Sequence, residues 1–392
     1  MNPLLRKLHP YPFERLRVLT RDIVPNPAMK PISLGLGEPR HATPQLVFDA
    51  ISAAFPKLAS YPATLGDAAL RASMAGWVQR RYGVTLDAAT EVLPVNGSRE
   101  ALFSLAQAVV DASKPRATVV CPNPFYQIYE GAALLAGAEV AYANSDPARN
   151  FAPDWSQVDE ATWARTQLVY VCSPGNPTGA VMDLDEWRRL FALSDRHGFV
   201  IASDECYSEI YFRDEPPLGG LQAAKLLGRG LERLVLLTSL SKRSNVPGLR
   251  AGFVAGDAQV LKGFLLYRTY HGGAMSPIVQ AASRAAWDDE AHVVANRALY
   301  RDKFAQVTPL LEPHFDVRLP DAGFYLWAGI PPSIDGGDDV AFARGLLAQY
   351  NVAVLPGSLL ARDAHGLNPG AGRVRLALVA EPAECIEAAQ RI

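Results

Sequence analysis

The stretch that most limits what this chain can fold into runs from Leu234 to Arg250. Leu234-Val-Leu-Leu-Thr238 is a short, continuous apolar run, the pattern of a strand buried on both faces of a parallel sheet. It opens into Ser239-Leu-Ser-Lys-Arg-Ser-Asn-Val-Pro-Gly-Leu-Arg250, which delivers Lys242 at the carboxyl edge, where such sheets collect their ligands. The Pro247-Gly248 pair turns the chain back into a further apolar run. Ser239, Ser241, Ser244 and Arg250 offer donors for an anion around the lysine. A lysine in that company suits Schiff-base chemistry on a phosphorylated cofactor, and the same residues would also make an ordinary solvated loop. Lysine is scarce, with Lys7, Lys30, Lys57, Lys114, Lys225, Lys242, Lys262 and Lys303 the full set, and only Lys242 directly follows a buried-looking strand.

The rest of the chain supplies the sheet. From residue 92 strands alternate with helices, the signal of a mainly parallel α/β sheet. Val92–Val95 leads into Asn96-Gly-Ser-Arg-Glu100 and an amphipathic run to Val110. Ser98 caps that helix, and the Gly97-Ser98-Arg99 amides form an anion site or simply a capped end. Strands follow at Ala117–Cys121 and Glu139–Ala143 around a helix from Phe125, and Tyr126 near a strand end faces either the crevice or the core. Gln167–Cys172 ends in Ser173-Pro-Gly-Asn-Pro-Thr-Gly179, a rigid turn that projects Asn176. Phe199–Ser203 ends at Asp204, with Glu205 and Tyr207 beside it. That carboxylate can pair with a ring N–H⁺ or cap the next turn. Helical patterns occupy 258–270, 277–289 and 292–313, the longest of which would join two domains. Beyond them short strands at 315–319, 323–328, 352–355 and 373–379 alternate with helices at 338–349 and 381–391, a smaller α+β unit. At the other end, residues 1–31 are rich in proline and are expected to hold little regular structure while lying across another surface. Ile32-Ser-Leu-Gly-Leu-Gly-Glu-Pro39 is a short strand entering a turn, where Gly37 either lets a small anion approach its amide or only shapes the turn.

Composition narrows the function classes. The 392 residues exceed one small core. A formal charge of −2 gives no electrostatic case for nucleic acid or an anionic membrane surface. No apolar run has the length of a membrane span, and Arg6 and Lys7 are not followed by the hydrophobic region of a secretory signal. Cys121, Cys172, Cys206 and Cys385 form no CxxC pair and suit a reduced, cytoplasmic protein.

Taken in order, Asn96-Gly-Ser-Arg99, the Ser173–Gly179 turn, Asp204-Glu-Cys-Tyr207, Ser239-Leu-Ser-Lys242 with Arg250, and Arg373-Val-Arg-Leu376 resemble the class I/II, fold-type-I aminotransferases that depend on pyridoxal phosphate (PLP). The resemblance covers nearly the whole chain. It implies a large domain over 45–285 with a mainly parallel seven-stranded sheet flanked by helices, and a smaller α+β domain from 1–44 and 286–392. It also implies that Lys242 binds PLP covalently and shuttles the substrate's proton. Asp204 would pair with the ring nitrogen, Tyr207 and Asn176 with the ring oxygen, and Tyr126 would stack on the ring. Ser98, Arg99, Ser239, Ser241 and Arg250 would hold the phosphate. Tyr61 would reach the partner's phosphate in a homodimer with shared sites. Arg375, or less favourably Arg373, would clamp the α-carboxylate of an amino acid or 2-oxo acid, with Gly37 beside it. The Asn176–Pro177 and Asn123–Pro124 peptides would be cis.

Leu8-His-Pro-Tyr-Pro-Phe-Glu-Arg-Leu16, Ile32–Pro39 and Tyr267–Ser276 are further similar to the proteobacterial succinyldiaminopimelate aminotransferases of lysine biosynthesis. That likeness implies glutamate and a long substrate with carboxylates at both ends, with Arg40, Arg268 or His271 as candidates for the distal one. Aspartate, aromatic or alanine transamination, or a C–S lyase reaction on the same fold, are the alternatives.

Overall fold

A computed structural model describes residues 1–392. The main sheet runs in the order Val92–Val95, Gly252–Gly256, Leu234–Ser239, Val200–Asp204, Thr166–Cys172, Thr118–Asn123, Glu139–Asp146 and Ala152–Pro153. Gly252–Gly256 and the two-residue Ala152–Pro153 are antiparallel to their neighbours, and every other pairing in the sheet is parallel. The sheet thus has eight strands where seven were expected. The extra one is a short edge that local apolar pattern does not mark.

The strand of the lysine shows why a continuous apolar run was the right signature. Leu234 and Leu236 face one core cluster, and Val235 and Leu237 face another. Successive side chains point to opposite faces, so a sheet covered by helices on both sides needs apolar residues at every position. One covering cluster is centred on Trp77, Trp287 and Phe253, whose rings meet at 4.9–5.7 Å. Part of that cover comes from helices Gln45–Ala53 and Ala68–Tyr82, which the sequence pattern did not reveal.

A third cluster gathers residues 300–389 with Ile32, Leu34 and Cys206–Ile210. Its sheet joins Tyr325–Gly329, Arg373–Ala377 and Leu355–Pro356 antiparallel, while Ile32–Ser33 pairs in parallel with Val352–Ala353. The strand expected at 315–319 reduces to a single bridge between Asp316 and Gly329. The helix Ala291–Leu311 sends Tyr300, Phe304, Val307 and Leu311 into this cluster.

The proline-rich N-terminus is more regular than its composition suggested. Pro12–Thr20 is a helix, because Pro12 sits at its start, where a missing N–H costs no intrahelical bond. Phe13, Leu16 and Leu19 pack on Trp327, Leu355, Leu359 and Leu360.

Candidate active site

The parallel strands end on one side of the sheet, and their carboxyl ends bring the chemistry together. Asp204 is the last residue of Val200–Asp204. Ser98 begins the helix Ser98–Val109 instead of capping it as expected: the cap is Gly97, whose φ of 86° favours glycine, and no side chain caps that end. Lys242 lies in the one-turn helix Leu240–Arg243 that follows Leu234–Ser239, capped by the Ser239 hydroxyl, which accepts from the Ser241 amide at 3.0 Å. Gly37, Ser98, Arg99, Tyr126, Asn176, Asp204, Tyr207, Ser239, Ser241, Lys242, Arg250 and Arg375 all line one cavity of about 450 Å³. The Asn123–Pro124 and Asn176–Pro177 peptides are cis, as is Ser173–Pro174 in the same turn.

Lys242 Nζ donates to the Gly37 carbonyl at 3.4 Å and stands 5.7 Å from the centre of the Phe324 ring. Burial pushes its ammonium below the ordinary lysine value, and the cations Arg250 and Arg99 push the same way against Cys206 and Glu38. A lysine so placed gives up its proton readily and can act as nucleophile and base. Asp204 is the opposite case. Burial raises its carboxyl above the ordinary range, although it accepts from Tyr129 Oη at 2.7 Å and from the Cys206 amide at 3.3 Å. A buried carboxylate facing a cavity calls for a cation there.

Arg375 is buried, donates to Asn176 Oδ1 at 2.9 Å and to the Gly35 carbonyl at 2.8 Å, and lies 4.3 Å over the Tyr325 ring. Its Nε has no partner in the protein. Tyr207 Oη meets Tyr325 Oη at 3.0 Å. At the other end of the cavity, Ser239 Oγ donates to Ser241 Oγ at 2.8 Å, Ser98 Oγ accepts from Cys206 Sγ at 3.0 Å, and Arg99 Nε donates to Tyr126 Oη at 2.6 Å. A Cβ at Gly97 would overlap the Arg250 guanidinium, and one at Gly37 would overlap Tyr325 Oη, so both glycines are required by close approach. Hydroxyls, a helix N-terminus and two arginines suit a phosphate, and the buried Asp204 suits a protonated ring nitrogen. The donor set therefore fits PLP.

Several expected residues lie elsewhere. Arg373 reaches away from the cavity, to Asp316 at 2.6 Å and the Trp327 carbonyl at 3.5 Å, so Arg375 alone of the pair faces it. Tyr61 is fully exposed and outside the cavity. The three candidates for a distal carboxylate are also outside it. Arg40 pairs with Glu384 at 3.2 Å, wholly buried Arg268 is bound to Glu100 at 2.6 Å, and His271 stacks on Tyr267 at 5.6 Å. Residues that sequence patterns missed include Tyr129, stacked on Tyr170 at 4.6 Å, and Tyr325, Cys206, Tyr11, Pro12 and Phe13 on the cavity wall. Cys206 stands inside the Asp204–Tyr207 motif, and Tyr11, Pro12 and Phe13 stand inside the Leu8–Leu16 stretch, without a cavity role having been read for them, while no local signal marks Tyr129 or Tyr325.

Residues 29–392 match the family model described as aminotransferase class I and II. An LL-diaminopimelate aminotransferase from Nitratidesulfovibrio vulgaris (strain DP4) is 31% identical over 368 residues, covering 92% of this chain and 90% of the relative. Among solved structures, an aminotransferase from Neisseria meningitidis Z2491 is 55% identical with a TM-score of 0.97, covering 100% of this chain and 98% of the other. A probable N-succinyldiaminopimelate aminotransferase from Thermus thermophilus is 27% identical with a TM-score of 0.85, covering 97% of this chain and 98% of the other.

Proposed function

The chain belongs to the class I and II aminotransferases and depends on PLP, and on that premise we propose that it transfers an amino group between glutamate and N-succinyl-2-amino-6-oxopimelate. The observation that carries the substrate reading is the position of Tyr11, Pro12 and Phe13. They belong to the very stretch that resembles the succinyldiaminopimelate enzymes, and they line the same cavity as Lys242 and Arg375. The subfamily-marking segment is thus in reach of a long substrate. A second reading, LL-diaminopimelate itself, draws on the relative of that name, and both compounds carry carboxylates at each end.

When bound, PLP supplies an electron sink for the carbanion at the substrate's α-carbon. This chain's residues do the rest. Lys242 holds the cofactor and then takes and returns the α-proton, which its lowered basicity permits. Asp204 would keep a proton on the ring nitrogen, Tyr207 and Asn176 would hydrogen-bond the ring oxygen, and Tyr126 would stack on the ring. Ser98, Arg99, Ser239, Ser241 and Arg250 fix the phosphate, and Arg375 binds the α-carboxylate with Gly37 leaving room beside it. The proposal includes the division into 45–285 and 1–44 with 286–392, and a homodimer in which Tyr61 completes the partner's phosphate site.

The test is a panel of amino donors compared by kcat/KM: glutamate, aspartate, alanine, phenylalanine, LL-diaminopimelate and its N-succinyl derivative. The succinylated donor is expected to lead. Equal rates with aspartate or phenylalanine would refute the substrate reading and leave the general transaminase. Borohydride treatment of the holoenzyme is expected to fix the cofactor to Lys242, and attachment to Lys225 or Lys262 would refute the site.

A further inference from the structure

Lys303 is wholly buried, yet its one hydrogen-bond partner is an imidazole: Nζ lies 3.0 Å from His41 Nε2. Burial lowers both groups, so neither is held by a strong counter-charge. Titratable groups around them are Arg40 on the segment of His41, the carboxyls Glu381 and Glu384 on or beside the C-terminal helix, and the thiol of Cys385, which burial keeps protonated. Tyr300, one turn from Lys303, packs against His41 with ring centres 4.5 Å apart.

Donor chemistry gives this contact a direction. A lysine ammonium only donates, so His41 Nε2 offers its lone pair and the ring proton sits on Nδ1. Nδ1 then donates to Asn296 Oδ1 at 2.8 Å, which also accepts from Asn245 Nδ2 at 2.9 Å. With Oδ1 so engaged, Asn296 Nδ2 faces the main-chain carbonyl of Lys242 and donates at 3.3 Å. That carbonyl closes a one-turn helix, whose end leaves it without an intrahelical donor. The two residues after Lys242 are held by residues just before the helix of Asn296 and by the first turn of that same helix. Arg243 donates to the Ala286 carbonyl at 2.6 Å and Glu290 at 2.9 Å, and Ser244 Oγ meets His292 Nε2 at 2.8 Å. Among these grips, only Asn296 reaches Lys242 itself.

We propose that Asn296 is a positioning residue for Lys242, its amide oriented by a one-way chain of hydrogen bonds from Lys303 through His41. The chain ties the segment that carries Gly37, the helix Ala291–Leu311 and the lysine into one rigid unit. The inference rests on Lys242 being the cofactor lysine, which borohydride labelling tests separately.

Asn296→Ala is expected to lower kcat by about ten- to a hundredfold, the scale of a small misplacement of a reacting group, with KM changed less than about twofold. Cofactor remains fixed to Lys242 by borohydride, while the pH titration of its absorbance, which reports the basicity at that lysine, shifts. His41→Ala lowers kcat too, and because it acts through Asn296 the double variant is no slower than Asn296→Ala alone. His41→Asn, whose amide can donate from the place of Nδ1, recovers most of the His41→Ala loss. Wild-type kcat and an unshifted titration in Asn296→Ala would overturn the proposal. So would a double variant whose loss is the product of the two single losses, the result expected of two separate structural contacts. Should His41→Ala not fold, the kcat and absorbance titration of Asn296→Ala decide by themselves, wild-type values overturning the proposal.

Discussion

At the residue scale, Asp204 in its proposed role would serve function at a cost to stability. Burial raises its carboxyl, so in the folded apoprotein its proton is held more tightly than in the unfolded chain. The resulting stabilisation is present in acid, below the unfolded value, and is lost as pH rises through the folded one. Asp204→Asn removes the buried charge and keeps an acceptor for Tyr129. The apo variant is therefore expected to melt higher than apo wild type above neutrality, with the gap closing as the pH falls. Its turnover moves the other way, falling about a hundred- to a thousandfold while cofactor stays bound, since a neutral amide cannot hold the ring nitrogen protonated. Melting curves across pH and single-turnover rates check the two halves, and wild-type-like turnover would remove the role. Asp204 was legible because a carboxylate ending a buried strand is unusual. Tyr129 was not, because its hydroxyl meets Asp204 only after a helix and a strand 75 residues apart in sequence have packed.

At the scale of elements, the strands of the main sheet apart from the short edge Ala152–Pro153 were legible because each is a short apolar run closed by turn residues. The helices before residue 92 were not. Ala68–Tyr82 buries Leu70, Arg71, Met74, Trp77, Val78 and Tyr82 along one face, but Arg71 stands inside that face and the apolar Ala68 and Ala72 stand on the exposed side, so no clean apolar face shows in its sequence. The helix Pro12–Thr20 was hidden behind its prolines, yet it seals one wall of the cavity. Leu16 packs it down without touching the cavity. Leu16→Asp is expected to loosen the helix and raise KM for the succinylated substrate by about tenfold, the worth of a lost pocket contact, while alanine transamination keeps its rate. Steady-state kinetics on both substrates test this, and a parallel loss for alanine would mean the helix has no part in substrate choice.

At the scale of the whole molecule, Tyr61 stands fully exposed, and Phe48, Phe55 and Leu58 near it are each about half exposed. A surface of that kind is costly in a monomer and fits the proposed homodimer. Sedimentation is expected to give twice 42.4 kDa. Mixing unfolded Lys242→Ala and Tyr61→Ala chains and refolding them together is expected to yield hybrids with one intact site, more active than either parent refolded alone. Absence of any gain would mean that Tyr61 serves no site on another subunit. The cavity itself has a consequence for biosynthesis. Its walls come from Tyr11, Ser98, Lys242, Arg250 and Arg375, so a growing chain displays the lysine and the last residue of the proposed phosphate cradle long before Arg375 leaves the ribosome. On the proposed roles, a chain cut short before Arg375 would carry every group meant for the vitamin-derived partner and lack the one meant to hold an amino acid's carboxylate.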